Sequence, residues 1–328
     1  MNAWGHNFRI SIFGESHGRS LGILIDGCPA GIRLSEEDFN EDIDRRRPKV
    51  FGTTARKEED KPSINSGVFN GFTTGAPILI EFQNNNIKSK DYQQFKDHPR
   101  PGHADWVAIK KFKGYNDYRG GGHFSGRLTL AIVAAGVIAK KILSTLEFSS
   151  KVVSVGGYID YENILKKAIQ TQDSLGGIVQ CEVQGVPIGL GEPFFDAIES
   201  SIAHLAFSIP GIKGIEFGSG FEAANMKGSE FNDLIVNEKG ETETNHSGGI
   251  NGGISNGNTI VFRLAVRPTS SIAQTQSTFN LKTKKVEGLS IQGRHDACIA
   301  LRVSVIAEAI AAIALSDAYL NSKNESIS

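Results

Sequence analysis

Apolar and polar residues alternate in short runs along the chain, and two long stretches are apolar with little polar interruption. The runs at 8–13, 78–82 and 259–266 follow the period-two pattern that is typical of β-strands. The stretches at 127–146 and 298–320 are rich in alanine and leave little polar surface, which predicts long helices that are buried on several sides. This mixture of strands and helices indicates the α+β class.

The order of these elements occurs twice. The segment Gly-Cys-Pro-Ala-Gly-Ile at 27–32 is echoed by Gly-Val-Pro-Ile-Gly-Leu at 185–190, and each copy ends a strand and leads to a helix. The segments at 66–71 and 247–252 form a second pair, and each of them leads to a further strand. Repetition of this kind predicts a duplicated unit.

We therefore predict one domain over residues 1–328, built from two pseudo-symmetric halves at about 7–147 and 177–320. The long helices of the two halves would pack between their sheets, and residues 157–175 would connect the halves. The alternative is a chance similarity between loops that are rich in glycine and proline.

Charge is nearly balanced overall but unevenly distributed. The formal net charge of −1 argues against nucleic acid as a partner, whereas arginines cluster at 45–47 and recur at Arg100, Arg119, Arg127 and Arg294. Such clusters in a neutral chain predict a small, highly anionic ligand. The alternative is that arginines near helix ends complement the helix dipole and are solvated.

Cys28, Cys181 and Cys298 are far apart and show neither a CxxC motif nor a metal-ligand spacing. We expect reduced, mostly buried thiols, no bound metal and a cytoplasmic protein. The chain begins directly with a β-type run, and charged residues interrupt its apolar helices, so neither secretion nor membrane spanning is expected.

Three short polar segments combine an imidazole with glycine, guanidinium or carboxylate groups: 14–18, 100–105 and 293–296. In the second segment Arg100 precedes His103, and this pair would suit a phosphate leaving group because it offers positive charge and a proton. A structural role remains the alternative for His17 and His103, and an N-cap role is the alternative for Asp296.

Two further segments offer groups for an anion. The segment 119–127 contains three adjacent glycines between arginines and runs into the first long helix, which indicates a phosphate cradle. It matches neither the Walker motif nor the dinucleotide fingerprint. The segment 267–271 supplies hydroxyl and amide groups after a strand, and a simple Pro-Thr-Ser turn is the alternative there.

These segments together resemble the chorismate synthase family over essentially the whole chain. The shared motifs occur in the family's order: Phe-Gly-Glu-Ser-His-Gly at 13–18, Asp-Arg-Arg-Arg-Pro at 44–48, Arg-Pro-Gly-His-Ala-Asp at 100–105, Arg-Gly-Gly-Gly at 119–122, Arg-Pro-Thr-Ser-Ser at 267–271 and Gly-Arg-His-Asp at 293–296. The resemblance implies a β-α-β sandwich without a Rossmann unit. It also implies a homotetrameric lyase that converts 5-enolpyruvylshikimate 3-phosphate to chorismate, with reduced FMN required but not consumed.

The resemblance also implies roles for single residues. His17 would protonate or stabilise the reduced flavin, His103 would assist the departing phosphate, and Asp296 would act with the flavin in removing the ring proton. The substrate's carboxylates and phosphate would be held by Arg46, Arg100, Arg127 and Arg294, and position 46 is also linked to NADP. FMN contacts would fall at His123, Phe124, Ser125, Pro210, Gly211, Gly252, Arg267, Pro268, Thr269, Ser270, Ser271 and Arg294.

Two alternatives belong to other functional classes. A flavin-dependent oxidoreductase would oxidise its flavin in every turnover, whereas the lyase returns it reduced. An anion-binding protein without activity would use the arginines but would need no proton transfer by histidine. We expect an external reductase to supply reduced FMN, and a built-in NADPH site stays open.

Overall fold

The computed structural model describes residues 2–48, 50–53, 59–85, 89–291, 293 and 295–325. In the N-terminal part, an antiparallel sheet of order β1-β2-β3-β7-β4 is accompanied by the short hairpin β5–β6. These strands are β1 (Ala3–Trp4), β2 (Arg9–Gly14), β3 (Ser20–Asp26), β4 (Pro62–Ser66), β5 (Val68–Phe69), β6 (Phe72–Thr73) and β7 (Ile78–Gln83).

The C-terminal part contains a second antiparallel sheet, of order β10-β13-β9-β8, and two separate hairpins, β11–β12 and β14–β15. Its strands are β8 (Glu147–Val155), β9 (Gly177–Gln184), β10 (Ile212–Phe217), β11 (Ile250–Asn251), β12 (Ile254–Ser255), β13 (Ile260–Val266), β14 (Gln276–Asn280) and β15 (Lys285–Leu289).

Seven α-helices lie within the described residues, and seven short 3₁₀ segments accompany them. The helices are α1 (Asn40–Arg46), α2 (Asp105–Lys111), α3 (Thr129–Ile142), α4 (Glu162–Gln170), α5 (Ile198–Ser208), α6 (Gly228–Phe231) and α7 (Ser304–Glu325). The 3₁₀ segments are Glu36–Phe39, Ser89–Lys96, Arg119–Phe124, Gly126–Leu128, Phe194–Asp196, Gly220–Asn225 and Ile299–Arg302.

The two halves have the same connectivity. The order β2-β3-α1-β4-hairpin-β7-α3 in the first half is repeated as β8-β9-α5-β10-hairpin-β13-α7 in the second. The strand orders also correspond, as β2-β3-β7-β4 and β8-β9-β13-β10. The predicted α+β sandwich with two pseudo-symmetric halves and long buried helices between the sheets is therefore confirmed.

The second half begins earlier than its predicted start at residue 177. Its first strand is β8, at Glu147–Val155, and the predicted connector at 157–175 contains the amphipathic helix α4. Because β8 is an edge strand with several polar residues, its apolar alternation is weak.

Helices α3 and α7 form the central layer and pack directly against each other. A Cβ atom added at Gly136 would lie 2.4 Å from the Cβ and 2.7 Å from the Cα of Ala309, so the two helix backbones are almost in contact. Helix α3 faces β3 of the first sheet, whereas α7 faces β8 and β9 of the second. The alanine content of both helices thus permits a thin central layer between two sheets.

Within the part of the chain that the structure describes, one helix is long and apolar enough to cross a membrane by length and composition. It is the Ser304–Lys323 part of α7, and 72% of that stretch is buried inside the protein. Such burial is typical of a core helix, because its apolar surface is already covered by protein.

A network of buried charges ties the central helices to α1 and β8. The carboxylate of Glu308 on α7 is 1% exposed and accepts hydrogen bonds from Arg45 (2.5 and 2.8 Å), Lys140 (2.8 Å) and Ser150 (2.6 Å). Asp42 adds contacts to Arg45 (3.0 Å) and Lys140 (2.7 Å). Burial alone would raise the pKa of Glu308, but these hydrogen bonds and charges hold it below its usual range.

We expect Glu308→Gln to lower the free energy of unfolding by about 3 kcal/mol, because it leaves two cations near the core with one carboxylate. This is the lower end of the range for breaking a buried ion pair, since Arg45 and Lys140 keep partial contact with solvent. Urea unfolding followed by circular dichroism measures the change. Glu162→Gln, which removes an exposed pair with Lys166 on α4, serves as the control and should leave stability unaltered.

Candidate active site

Segments from both halves line a cleft with a cavity of about 260 Å³. The first half contributes the turn after β2, the end of α1 and the loops that precede α2 and α3. The second half contributes the loop before β10, the loop after β13 and the segment that precedes α7. The three polar segments singled out in the sequence thus reach one place, through Ser16, through Arg100 with His103, and through His295 with Asp296.

Positive charge dominates this cleft. Six arginines and two aspartates line it, and two further aspartates, Asp105 and Asp44, pair with lining arginines from behind the wall, which leaves an excess of two positive charges before the histidines are considered. The arginines are Arg46, Arg47, Arg100, Arg127, Arg267 and Arg302, and the aspartates are Asp60 and Asp296. Such an excess in a partly closed space favours a ligand with several negative charges.

Arg100, His103 and Asp105 form a compact hydrogen-bonded group. The guanidinium of Arg100 donates to both carboxylate oxygens of Asp105, at 2.8 and 2.9 Å, and to the hydroxyl of Ser271 at 3.1 Å. The Nδ1 atom of His103 lies 2.6 Å from the Asp105 carboxylate and 3.1 Å from Arg100 Nη2. We assign the Nδ1 proton to the bond with Asp105 because that contact is the shortest, which leaves Nε2 for a ligand.

The charge states of this group follow from its surroundings. Burial would raise the pKa of Asp105, but hydrogen bonds from Arg100 and His103 outweigh it and hold the pKa far below its ordinary value. Burial lowers the pKa of His103, and the nearby Arg100 and Arg267 add to that effect, while Asp105 opposes it. His103 is therefore neutral at pH 7 in the unliganded protein, and a bound anion would favour its protonated form.

A second group surrounds the buried carboxylate of Asp60. It pairs with Arg127 and lies 3.7 Å from the guanidinium of Arg46. Arg46 also donates to Thr129 Oγ1 and to the carbonyl of Gly126. Burial, assisted by the neighbouring cations, lowers the pKa of Arg46 to about 9. The one carboxylate of Asp60 therefore compensates the neighbouring guanidinium groups only in part in the absence of a ligand.

Asp60 has an unusual backbone as well as an unusual environment. Its φ angle is 46°, in the left-handed region that non-glycine residues seldom adopt. Its side chain is 3% exposed. Strain of this kind persists where the surrounding contacts fix it, and here those contacts are the two guanidinium groups.

Arg302 links the segment before α7 to the end of α1. Its Nη1 lies 3.2 Å from the carboxylate of Asp296, and its Nε donates to the carbonyl of Arg46 at 3.0 Å. Asp296 is thus held as an ion-paired carboxylate on the wall of the cleft, rather than serving only as a helix cap.

His17 lies behind the wall of the cleft. It is 3% exposed, its Nδ1 is 3.2 Å from the hydroxyl of Ser16, and its ring meets Tyr92 edge-on at 4.9 Å. Both of these neighbours line the cleft. A Cβ atom at Gly120 would lie 2.3 Å from His17 Nδ1, so this imidazole packs directly under the glycine-rich segment.

The predicted phosphate cradle depends on glycine. Gly120, Gly121 and Gly122 all have positive φ angles, of 59°, 83° and 53°. A Cβ at Gly122 would lie 2.0 Å from the carbonyl oxygen of Asp117, and one at Gly121 would lie 3.3 Å from His103. Side chains at Gly120 and Gly121 would press on His17 and His103, and one at Gly122 would clash with the main chain, which explains the triple glycine.

Two segments that the resemblance assigns to FMN lie together. The main-chain N–H of Arg267 donates to the carbonyl of Gly211 at 2.9 Å, and both residues line the cleft. The hydroxyl oxygen of Thr269, in the same loop, is buried without a hydrogen-bond partner among the described residues. A buried hydroxyl of this kind is suited to a polar ligand.

The structure does not bring every candidate residue to the cleft. Pro268 follows Arg267 but does not line the cavity, and Gly252 lies in the turn of the β11–β12 hairpin. The side chain of His123 is exposed and bonds to the carbonyl of Gly14 (2.7 Å) and to Asn2 (3.1 Å). Arg294 lies outside the described residues. The remaining candidates on the cleft wall are Phe124, Ser125, Pro210, Ser270 and Ser271.

The cleft residues to which the sequence assigned no role include Asp60, Tyr92, Arg302 and, within the segment 14–18 that it singled out, Ser16. Asp60 follows a polar stretch of sequence without periodicity, and Tyr92 lies in a mostly polar 3₁₀ segment, so neither position carries a pattern. Arg302 interrupts an apolar run, and Ser16 stands beside His17 in a glycine turn. A charge inside an apolar run and a hydroxyl next to an imidazole were the two available signals.

The fold and the cleft define a class of protein, one that binds a small and multiply anionic ligand between two duplicated halves, beside an imidazole and an ion-paired carboxylate. Comparisons with known proteins agree with that class. The family model described as chorismate synthase matches residues 8–320. The chain therefore belongs to the chorismate synthase family, whose members are lyases.

Individual relatives support the same assignment. Chorismate synthase of Chitinophaga pinensis is 60% identical over 321 residues, which cover 98% of this chain and 97% of the relative. That of Methanocaldococcus jannaschii is 42% identical and covers 97% of this chain and 96% of its own. A solved structure described as "Crystal Structure of Chorismate Synthase" superimposes with a TM-score of 0.73 at 29% identity, over 97% of this chain and 93% of that one.

Proposed function

We propose that this protein converts 5-enolpyruvylshikimate 3-phosphate to chorismate and inorganic phosphate by 1,4-elimination, with reduced FMN present and no net redox change. The reaction is the last common step of aromatic amino-acid biosynthesis. The observation that carries the proposal is the convergence of Arg100, His103 and Asp296 on one cleft with an excess of positive charge. The substrate is itself a phosphate ester with two carboxylates, so its charge complements the cleft.

The cleft has features that fit a flavin phosphate cofactor. The hydroxyl of Thr269 has no hydrogen-bond partner among the described residues, and a Cβ atom added at Gly126 would meet no atom within 4 Å. Pro210, Gly211 and the 267–271 loop would hold the cofactor. When bound, reduced FMN would supply an electron-rich ring system for the elimination.

The departing phosphate would meet Arg100 and His103. As the carbon–oxygen bond breaks, negative charge grows on the phosphate oxygen, and the Arg100 guanidinium stabilises that charge. The Nε2–H of protonated His103 can donate to the same oxygen, while Asp105 stabilises the imidazolium from Nδ1. The bidentate bond to Asp105 holds Arg100 in place for this step.

Asp296 would receive the proton that leaves the substrate ring. Loss of this proton and departure of phosphate create one new carbon–carbon double bond, so the electrons balance without oxidation. Arg302 holds the Asp296 carboxylate at 3.2 Å and thereby fixes its orientation. His17 lies under the glycine segment, behind the wall formed by Ser16 and Gly120. From there it would stabilise the reduced form of the bound cofactor.

The other candidate classes differ in measurable ways. A flavin-dependent oxidoreductase would consume one equivalent of reduced FMN per product molecule, and an inert anion-binding protein would form no product. Reduction of FMN by NADPH in the purified protein would point to a built-in reductase. We propose that the reductant comes from an external flavin reductase.

We further propose a cytoplasmic homotetramer. All three cysteines are free and buried, as expected for a reducing compartment. Large exposed apolar side chains occur on the second half, among them Phe194 and Phe195 (85% and 92% exposed). Patches of this kind are typical of interfaces.

For the tetramer, light scattering should give about four times the chain mass of 35.4 kDa. We expect the chains to associate because association would cover the exposed phenylalanines. Phe195→Asp should reduce the mass, whereas Tyr115→Asp, which changes an exposed aromatic residue of the first half, is the comparison variant. A monomer at micromolar concentration would contradict this assembly.

The activity test uses purified protein, 5-enolpyruvylshikimate 3-phosphate and chemically reduced FMN without oxygen. We expect chorismate and phosphate in equal amounts, with the flavin still reduced at the end. His103→Asn and Asp296→Asn should each lower kcat about 10²- to 10⁴-fold, because each removes an acid–base group. Absorbance of chorismate and a phosphate assay give the rates.

Arg9→Met is the matched control for general charge loss, since Arg9 lies on β2, outside the cleft, with its side chain 59% exposed. It should keep wild-type rates. Absence of phosphate release by folded wild-type protein would reject the proposed function. Retention of full activity in Asp296→Asn would instead reject the role of that carboxylate.

The pH profile tests His103 separately. Its proton is needed for donation, and burial, with Arg100 and Arg267, lowers its pKa from the ordinary imidazole value. We expect kcat/KM to decrease as pH rises through this lowered pKa, whereas kcat should persist to higher pH because the bound substrate's negative charge favours the imidazolium. The pH profile of His103→Asn should lack this decrease in kcat/KM and should retain any pH dependence that is due to the substrate phosphate. An unchanged profile in that variant would contradict the assignment.

A further inference from the structure

A small hydrophobic cluster lies beside the cleft, separate from the main core. Phe95, Leu289 and Ile291 are 2%, 4% and 1% exposed, and Tyr92 packs against them. The main core contains none of these residues. Small clusters of this kind are typical beneath long loops, where they hold neighbouring segments together.

The cluster joins two parts of the chain that lead into the cleft. The 3₁₀ segment Ser89–Lys96 supplies Phe95, and strand β15 supplies Leu289. Two bonds connect the residues that follow this segment to the β14–β15 hairpin: the N–H of Leu281 donates to the carbonyl of Asp97 at 2.7 Å, and His98 Nε2 lies 3.2 Å from the carbonyl of Thr278. The cluster therefore acts as a shared anchor for both parts.

The aromatic ring of Phe95 contacts the guanidinium of Arg100. The central carbon of the guanidinium lies 4.5 Å from the ring centroid, and both side chains are at most 5% exposed. A cation over a ring face is attracted by the quadrupole of the ring, most strongly where water is excluded. The Phe95 ring is therefore placed to fix the cation as well as to fill space.

The other contacts of Arg100 lie along the edge of its guanidinium. Nε and Nη2 face Asp105, Nη2 also approaches His103, and one Nη1–H donates to Ser271. Arginine has five N–H donors, so one donor on Nη1 is left for an anion. The Phe95 ring adds an apolar contact to these polar ones, and this additional contact limits the movement of the guanidinium.

We propose that Phe95 is a positioning residue for the anion site: its ring fixes the Arg100 guanidinium, and through it the phosphate-facing donor of the cleft. The inference rests on the proposed function only in assigning Arg100 to a phosphate group. Tyr92 extends the same contact chain, since its ring lies 6.0 Å from that of Phe95 and 4.9 Å from that of His17.

The test measures the affinity of the full-length protein for inorganic phosphate by isothermal titration calorimetry, without flavin. Phe95→Leu removes the ring but keeps an apolar side chain, and it should weaken phosphate binding roughly 2- to 30-fold, the range expected from loss of a cation–π contact. Phe95→Tyr keeps the ring and should bind phosphate within about twofold of wild type, because the ring quadrupole is retained.

The order of the two Phe95 variants in stability should be the reverse of their order in phosphate affinity. The hydroxyl of Phe95→Tyr enters a nearly dry cluster, so urea unfolding should show a larger loss for tyrosine than for leucine. A residue that merely fills the cluster would give the same order for stability and for phosphate affinity. Opposite orders therefore identify the ring face as the functional element.

Two control variants separate other effects. Leu289→Val loosens the same cluster without removing the ring, and Trp106→Leu removes an exposed cation–π pair with Lys110 on α2. Both should leave phosphate affinity unchanged. In the activity assay, Phe95→Leu should raise KM more than it lowers kcat.

The proposal is overturned if Phe95→Leu binds phosphate as wild type does, or if Leu289→Val weakens binding equally. It is also overturned if Phe95→Tyr loses as much phosphate affinity as Phe95→Leu. The same holds if the wild-type protein does not bind phosphate, or if Arg100→Met does not abolish that binding. If Phe95→Leu does not fold, Phe95→Met replaces it, and the same loss of phosphate affinity is expected. Absence of chorismate formation would reject the proposed function but would leave this comparison intact.

Discussion

Mutual repulsion among buried guanidinium groups is the constraint on which the site depends. Six arginines share a cleft with two carboxylates, and one of the six, Arg46, is 3% exposed. The chain tolerates this concentration because Asp60 bridges Arg46 and Arg127, and because backbone carbonyls of the glycine segment accept further N–H groups. The compensation is incomplete, so a polyanionic ligand stabilises the folded cleft as well as occupying it.

The duplicated fold explains where this charge collects. Helices α3 and α7 are equivalent elements of the two halves, and the segments before both of them line the same cleft, with Arg127 before α3 and Arg302 before α7. Helix N-termini carry partial positive charge, so the fold itself adds to the attraction for anions. The symmetry ends at the side chains, because α1 ends in Arg45 and Arg46 whereas its counterpart α5 ends in Phe207 and Ser208.

The sequence predicted the architecture better than it predicted individual contacts. Alternation and the repeated glycine segments were sufficient for the two halves, because burial imposes a period on every core element. The edge strand β8 was not predicted, since solvent reaches much of it. Asp60 was not predicted as a site residue because its role depends on the arginines at positions 46 and 127, which are distant in sequence. Periodicity records burial, whereas a site of converging loops leaves no period in the chain.

His123 illustrates a limit of transferring roles by motif. Its two ring nitrogens are engaged by the carbonyl of Gly14 and by Asn2, so the side chain ties the N-terminal residues to the turn that carries His17. A cofactor contact through this side chain would require breaking both bonds, whereas its neighbours Phe124 and Ser125 line the cleft without such a cost. The side chain of His123 therefore supports the turn that carries His17 from outside the cleft.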